Sequence, residues 1–115
     1  MKKIKKITIA LMASMILFST IGAYASVTNV SLRREGANGL FASVGAPQSA
    51  TLRLAVDIRN TATGALQAGG TDRTVNGTTG IQWWSPSTAF PTNRTAFSTH
   101  ANHTTGAFEF RSVSR

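Results

Sequence analysis

Between residues 51 and 59 the chain alternates strictly. Leu52, Leu54, Val56 and Ile58 fall at even positions, and Thr51, Arg53, Ala55, Asp57 and Arg59 at odd ones. A period of two sends successive side chains to opposite faces of a strand, and four matches in a row are incompatible with a helix. One face must pack on a core while the other is solvated or lightly covered. Asn60-Thr61-Ala62-Thr63-Gly64 follows with turn chemistry, residues 65–67 begin a return strand, and Gly69-Gly70 break it.

The same pattern recurs in shorter pieces. Residues 26–34 predict a strand with Val30 and Leu32 on one face and Val27 on the other. Residues 35–39 predict a turn, and 40–44 a short apolar strand ended by Gly45-Ala46-Pro47. Residues 73–75 and 81–84 predict strands separated by the turn signal Asn76-Gly77. Ser85-Pro86-Ser87 and Phe90-Pro91-Thr92 bracket a loop. Residues 94–101 and 106–113 predict a hairpin through Asn102-His103-Thr104-Thr105. Pairing Phe97 with Phe108 or Phe110 would put an aromatic contact on its inner face, and Glu109 would point outward. Six or seven short strands, with no helical period after residue 25, predict a small antiparallel β-sandwich. A partly open β-barrel is the alternative.

The first 25 residues break this pattern. Met1-Lys2-Lys3-Ile4-Lys5-Lys6 is basic, residues 7–21 are uncharged and mostly apolar, and Ala23-Tyr24-Ala25 is a small-x-small cleavage site. This predicts a helical signal peptide of bacterial type over 1–25 and a single secreted β domain over 26–115. The apolar run is shorter than the ~20 residues that span a bilayer, so no stable membrane span is expected after cleavage.

Charge and composition sharpen the picture. The chain of 115 residues carries 12 Lys+Arg against 4 Asp+Glu, a net charge of +8, and no cysteine. All four lysines lie in the leader, so residues 26–115 hold 8 arginines and 4 acids, 8 − 4 = +4. These arginines are dispersed with one adjacent pair, Arg33-Arg34, so no basic stripe for nucleic acid is predicted. Without cysteine there is no disulfide framework, thiolate nucleophile or Cys-based metal site. Ser, Thr, Asn and Gly fill 38 of residues 26–115, yet 20 Val, Leu, Ile, Phe and Trp remain, which favours a folded domain over disorder.

Candidate chemistry is sparse. There is no G-x-S-x-G elbow, no adjacent carboxylate pair and no phosphate loop, so an enzyme is not expected. His100 and His103 have metal-like spacing, but two imidazoles without Cys make an incomplete site, and neither metal nor cofactor is expected. Trp83-Trp84 is the most distinctive dipeptide: one indole should join Ile81 in the core and the other face outward with Gln82. The candidate binding residues are Trp83, Trp84, Arg94, His100 and His103. The expected function is binding without catalysis, outside the cell, to an anionic surface, cell-wall polymer or polysaccharide. A bacteriocin-like antimicrobial protein is its sharper form. A self-assembling structural protein is one alternative, and a protease inhibitor using residues 85–93, or a small hydrolase, is another.

Overall fold

The computed structural model describes residues 27–115. The leader expected over 1–25 lies outside the described residues. Five strands run in chain order: β1 (Thr28–Glu35), β2 (Gly39–Asn60), β3 (Leu66–Trp84), β4 (Arg94–Asn102) and β5 (Ala107–Ser114). All pairings are antiparallel and belong to one sheet, with no helix among the described residues. The all-β expectation holds. The sheet is an open, curled half-barrel rather than two separately stacked sheets.

The strands are fewer and longer than expected, because several breakers act as bulges. The predicted strands 40–44 and 51–59 are one strand, β2, 22 residues long. Between them Gly45-Ala46-Pro47 shifts the register without ending the strand. Asn76-Gly77, predicted as a hairpin turn, stays inside β3, where Gly77 takes φ 64. A glycine in the left-handed region lets a strand bulge and bend, and a bulge re-aims the side chains beyond it. Gly69-Gly70 serves close approach instead. A Cβ at Gly70 would collide with the Val56 carbonyl oxygen, and one at Gly69 would come within 2.6 Å of Ala89 Cβ.

β2 organises the sheet. β3 runs along one of its edges, from Arg59↔Leu66 to Phe41↔Trp84. The other edge is shared: β1 pairs residues 39–45, β4 pairs residues 52–60, and β5 adds outside β4. The bend in β2 curls the sheet, so that its two halves share one core and β1 comes up beside β5. His100 on β4 reaches across, with Nδ1 2.8 Å from the Ser43 carbonyl oxygen on the other half.

The core fills the space between. Leu40, Ala42 and Val44 from one half meet Leu52, Leu54, Val56 and Ile58 from the other, joined by Ile81 and Ala96. Over 51–59 the even positions of β2 face inward, as the alternation predicted, and Leu40, Ala42 and Val44 do so before the bulged, exposed stretch at 47–49. Phe90, from the loop between β3 and β4, is completely buried among them. Its amide donates to Asn38 O at 2.7 Å. Arg115 Nη1 donates to the Phe90 carbonyl at 3.1 Å and also to Ala37 O and Asn38 Oδ1, tying the C-terminus to the β1–β2 turn and the loop.

Candidate functional site

The odd positions of β2 set the outer face. Direct cross-strand partners share a face, so the outer row at Ala55 reads Asp72, Ala55, Thr99, Phe110 across β3, β2, β4 and β5. The next rows are Thr74, Arg53, Ala101, Phe108 and, on the other side, Asp57, Phe97, Ser112. Small side chains at 55 and 99 form a floor. Phe97 and Phe110, diagonal neighbours at 47% and 62% exposure, form one wall. The result is a groove of about 300 Å³ bordered by Arg53, Asp57, Asp72, Phe97 and Phe110. Phe108 props Phe110 from the side, with ring centroids 5.3 Å apart.

This corrects the hairpin expectation. Phe97 lies opposite Ser112 and faces outward with Phe108 and Phe110, whereas Glu109 turns toward the inner side beside His100. The reason is volume. In the observed register Leu52, Leu54, Val56 and Ile58 stand opposite Asn102, His100, Ser98 and Ala96. The β2 side chains, together with Phe90, already fill the interior, so β4 presents small and polar residues there. The aromatic residues are left on the other face.

The groove's charges are paired. Arg53 grips Asp72 with two hydrogen bonds, Nε to Oδ1 at 2.9 Å and Nη2 to Oδ2 at 2.8 Å. This bond raises the Arg53 pKa and lowers that of Asp72. Arg59 Nη2 lies 3.3 Å from Asp57 Oδ2. Arg111, which also lines the groove, has Nη2 2.8 Å from Glu109 Oε2, an atom closed off from solvent, and elsewhere Arg33 pairs with Glu35. All four carboxylates of the described residues are thus engaged by arginine. A bidentate pair fixes both groups while leaving outward N–H donors and carboxylate lone pairs for a ligand.

The residues singled out from sequence do not converge. Ser98, His100 and Asn102 face the interior, and both ring nitrogens of His100 are engaged. A carbonyl only accepts, so Nδ1–H donates to Ser43 O, and Nε2 accepts the Ser98 hydroxyl at 2.7 Å. His103 lies exposed in the turn after β4, so the spacing of His100 and His103 does not assemble a ligand pair. Among the described residues no three His, Asp or Glu side chains are grouped for a metal. Arg94 starts β4 at its other end, about 30 Å from His103 by strand length, beside a shallow cavity with Gln67 and Pro91. The Trp pair divides as expected: Trp83 packs against the core with Ile81, and Trp84 is 57% exposed on the outer face.

Phe97, Phe110, Arg53 and Asp72 were not among the sequence candidates. Their one signal was the two-residue spacing of Phe108 and Phe110, which marks a shared face without saying which. Comparison with family models, with curated proteins and with solved structures finds no match to this chain, so its function is read from this geometry alone.

Proposed function

We propose that the protein is a secreted, non-catalytic binding module whose outer groove takes a strand of neutral cell-wall or extracellular polysaccharide. The observation that carries this reading is the pairing of two exposed phenylalanines with a charge-neutral, hydrogen-bonding border in one shallow groove. A sugar ring has an apolar C–H face and a rim of hydroxyls. Phe97 and Phe110 offer platforms for the first. The Arg53–Asp72 pair offers fixed donors and acceptors for the second, held in place before the ligand arrives. Each arginine in and beside the groove is matched by a carboxylate, which favours an uncharged polymer. The groove is open along the surface, which suits a chain rather than a small enclosed molecule. Export is supported by the leader pattern of residues 1–25.

Self-assembly through sheet edges is less well supported. β3, the long edge strand, is interrupted by register shifts and the Gly77 bulge, devices that disfavour edge pairing. The inhibitor reading required an exposed loop at 85–93, but Phe90 of that loop is core.

Retention on insoluble neutral polysaccharides and on bacterial cell walls tests the proposal. The purified protein should be retained, and the double variant Phe97→Ala/Phe110→Ala should lose about tenfold or more in affinity with little change in Tm, since both rings are substantially exposed. Equal retention of the double variant would overturn the groove.

A further inference from the structure

The bend in β2 leaves a second outer face, on the half built by β1, residues 39–45 of β2 and the end of β3. One row crosses it: Arg33, Phe41, Trp84. Phe41 is almost fully covered by its two neighbours. The Arg33 guanidinium lies 4.4 Å from its ring centroid, and the Trp84 ring is tilted against its other side with centroids 5.0 Å apart. Phe41 thus acts as a spacer that holds an exposed indole and a guanidinium two strand spacings apart, about 10 Å.

The chemistry of this face differs from that of the groove. Arg34, opposite Leu40, lies on the other face of β1, while on this face Arg33 stands beside one acid, Glu35, and their contact is one exposed bond of 3.3 Å. Such a pair is worth little in water and is readily exchanged for another carboxylate. Trp84 is the more exposed of the two tryptophans, at 57%. A flat aromatic platform with a cation about 10 Å away fits two linked sugar rings, one stacked on Trp84 and the next presenting a carboxylate to Arg33.

We propose that the Arg33–Phe41–Trp84 face is a second binding site, for an acidic polysaccharide of the uronate class. The protein then carries two separate sugar sites, with no shared residue, on different parts of one bent sheet. This site stands whether or not the groove binds a neutral polymer, because the two share no residue. An anionic membrane is the competing occupant, since Trp and Arg also suit a lipid interface. It is disfavoured here because Trp84 is the one large apolar residue standing out of this face, so little apolar area is available for insertion.

Titration with oligogalacturonate, followed by tryptophan fluorescence, tests this directly. The expected result is saturable quenching of Trp84 that weakens with added salt. Trp84→Ala should abolish the response. Arg33→Gln should weaken binding about tenfold or more, and Phe97→Ala/Phe110→Ala should leave it unchanged. Oligogalacturonate binding that survives both Trp84→Ala and Arg33→Gln would overturn the proposal. So would a response to vesicles of phosphatidylglycerol with none to oligogalacturonate. Failure of the groove would appear separately, as loss of neutral-polymer retention in a protein that still binds the uronate.

Discussion

Phe90→Ala is expected to cost about 3–5 kcal/mol and to lower Tm by more than about 15 °C. The residue belongs to a loop, where substitutions are ordinarily tolerated. Here the loop is built to deliver it. Ser85 holds one end, accepting the Leu40 amide at 2.8 Å and donating to the Pro86 carbonyl at 2.8 Å. The Phe90 amide and carbonyl are held by Asn38 and Arg115. The ring is completely buried between the halves of the bent sheet. A domain of this size has about 5–13 kcal/mol of total stability and no disulfide, so one cavity removes a large share. Thermal melting of the variant measures it. A fall below about 5 °C would mean that the loop does not close the core.

Acidification should weaken the same junction. Burial lowers the His100 pKa to about 4, the Ser43 carbonyl partly offsets this, and the nearby Arg111 charge lowers it further. In the unfolded chain the imidazole titrates near 6.5. Between those values the unfolded state holds a proton that the folded state does not, so stability falls as pH drops from about 6.5 to about 4. Below about 4 the penalty is complete, at about 3 kcal/mol. Asp72 is lowered by its Arg53 bond, so any contribution it makes is lost only at more acidic pH. Chemical denaturation at a series of pH values measures the slope. His100→Gln should start less stable at pH 7 and be flat across the window. A wild-type protein equally stable at about pH 7 and about pH 4.5 would contradict the buried neutral imidazole.

The strand 51–59 was fully legible, because Leu52, Leu54, Val56 and Ile58 leave only one face that can be buried. Alternation also put the indoles of Trp83 and Trp84 on opposite sides, and the structure shows that Trp84 is the exposed one. What local patterns missed were consequences of tertiary packing. Asn76-Gly77 has the chemistry of a tight turn, yet pairing of β3 with β2 on both sides of it made it a bulge. Likewise β4 alternates aromatic-small against polar-small, and hydrophobicity alone sends Phe97 inward. The interior had already been filled by β2 and by Phe90, a residue distant in sequence. That crowding put His100 inside, where its polar atoms are satisfied, and turned Phe97 and Phe110 into an external platform. The groove was illegible for the same reason: Arg53 and Asp72, 19 residues apart, meet only once the long β2–β3 register is set.

The outer groove, rather than the residues that stand out in the sequence, is the proposed ligand site. Amide chemical-shift mapping tests it most directly, during titration with soluble oligosaccharide from whichever neutral polymer retains the protein. The expected shifts are concentrated at Arg53, Ala55, Asp72, Phe97, Thr99 and Phe110, with Arg94 and His103 unmoved. Saturable binding that leaves those six positions in place and moves Arg94 or His103 would contradict it.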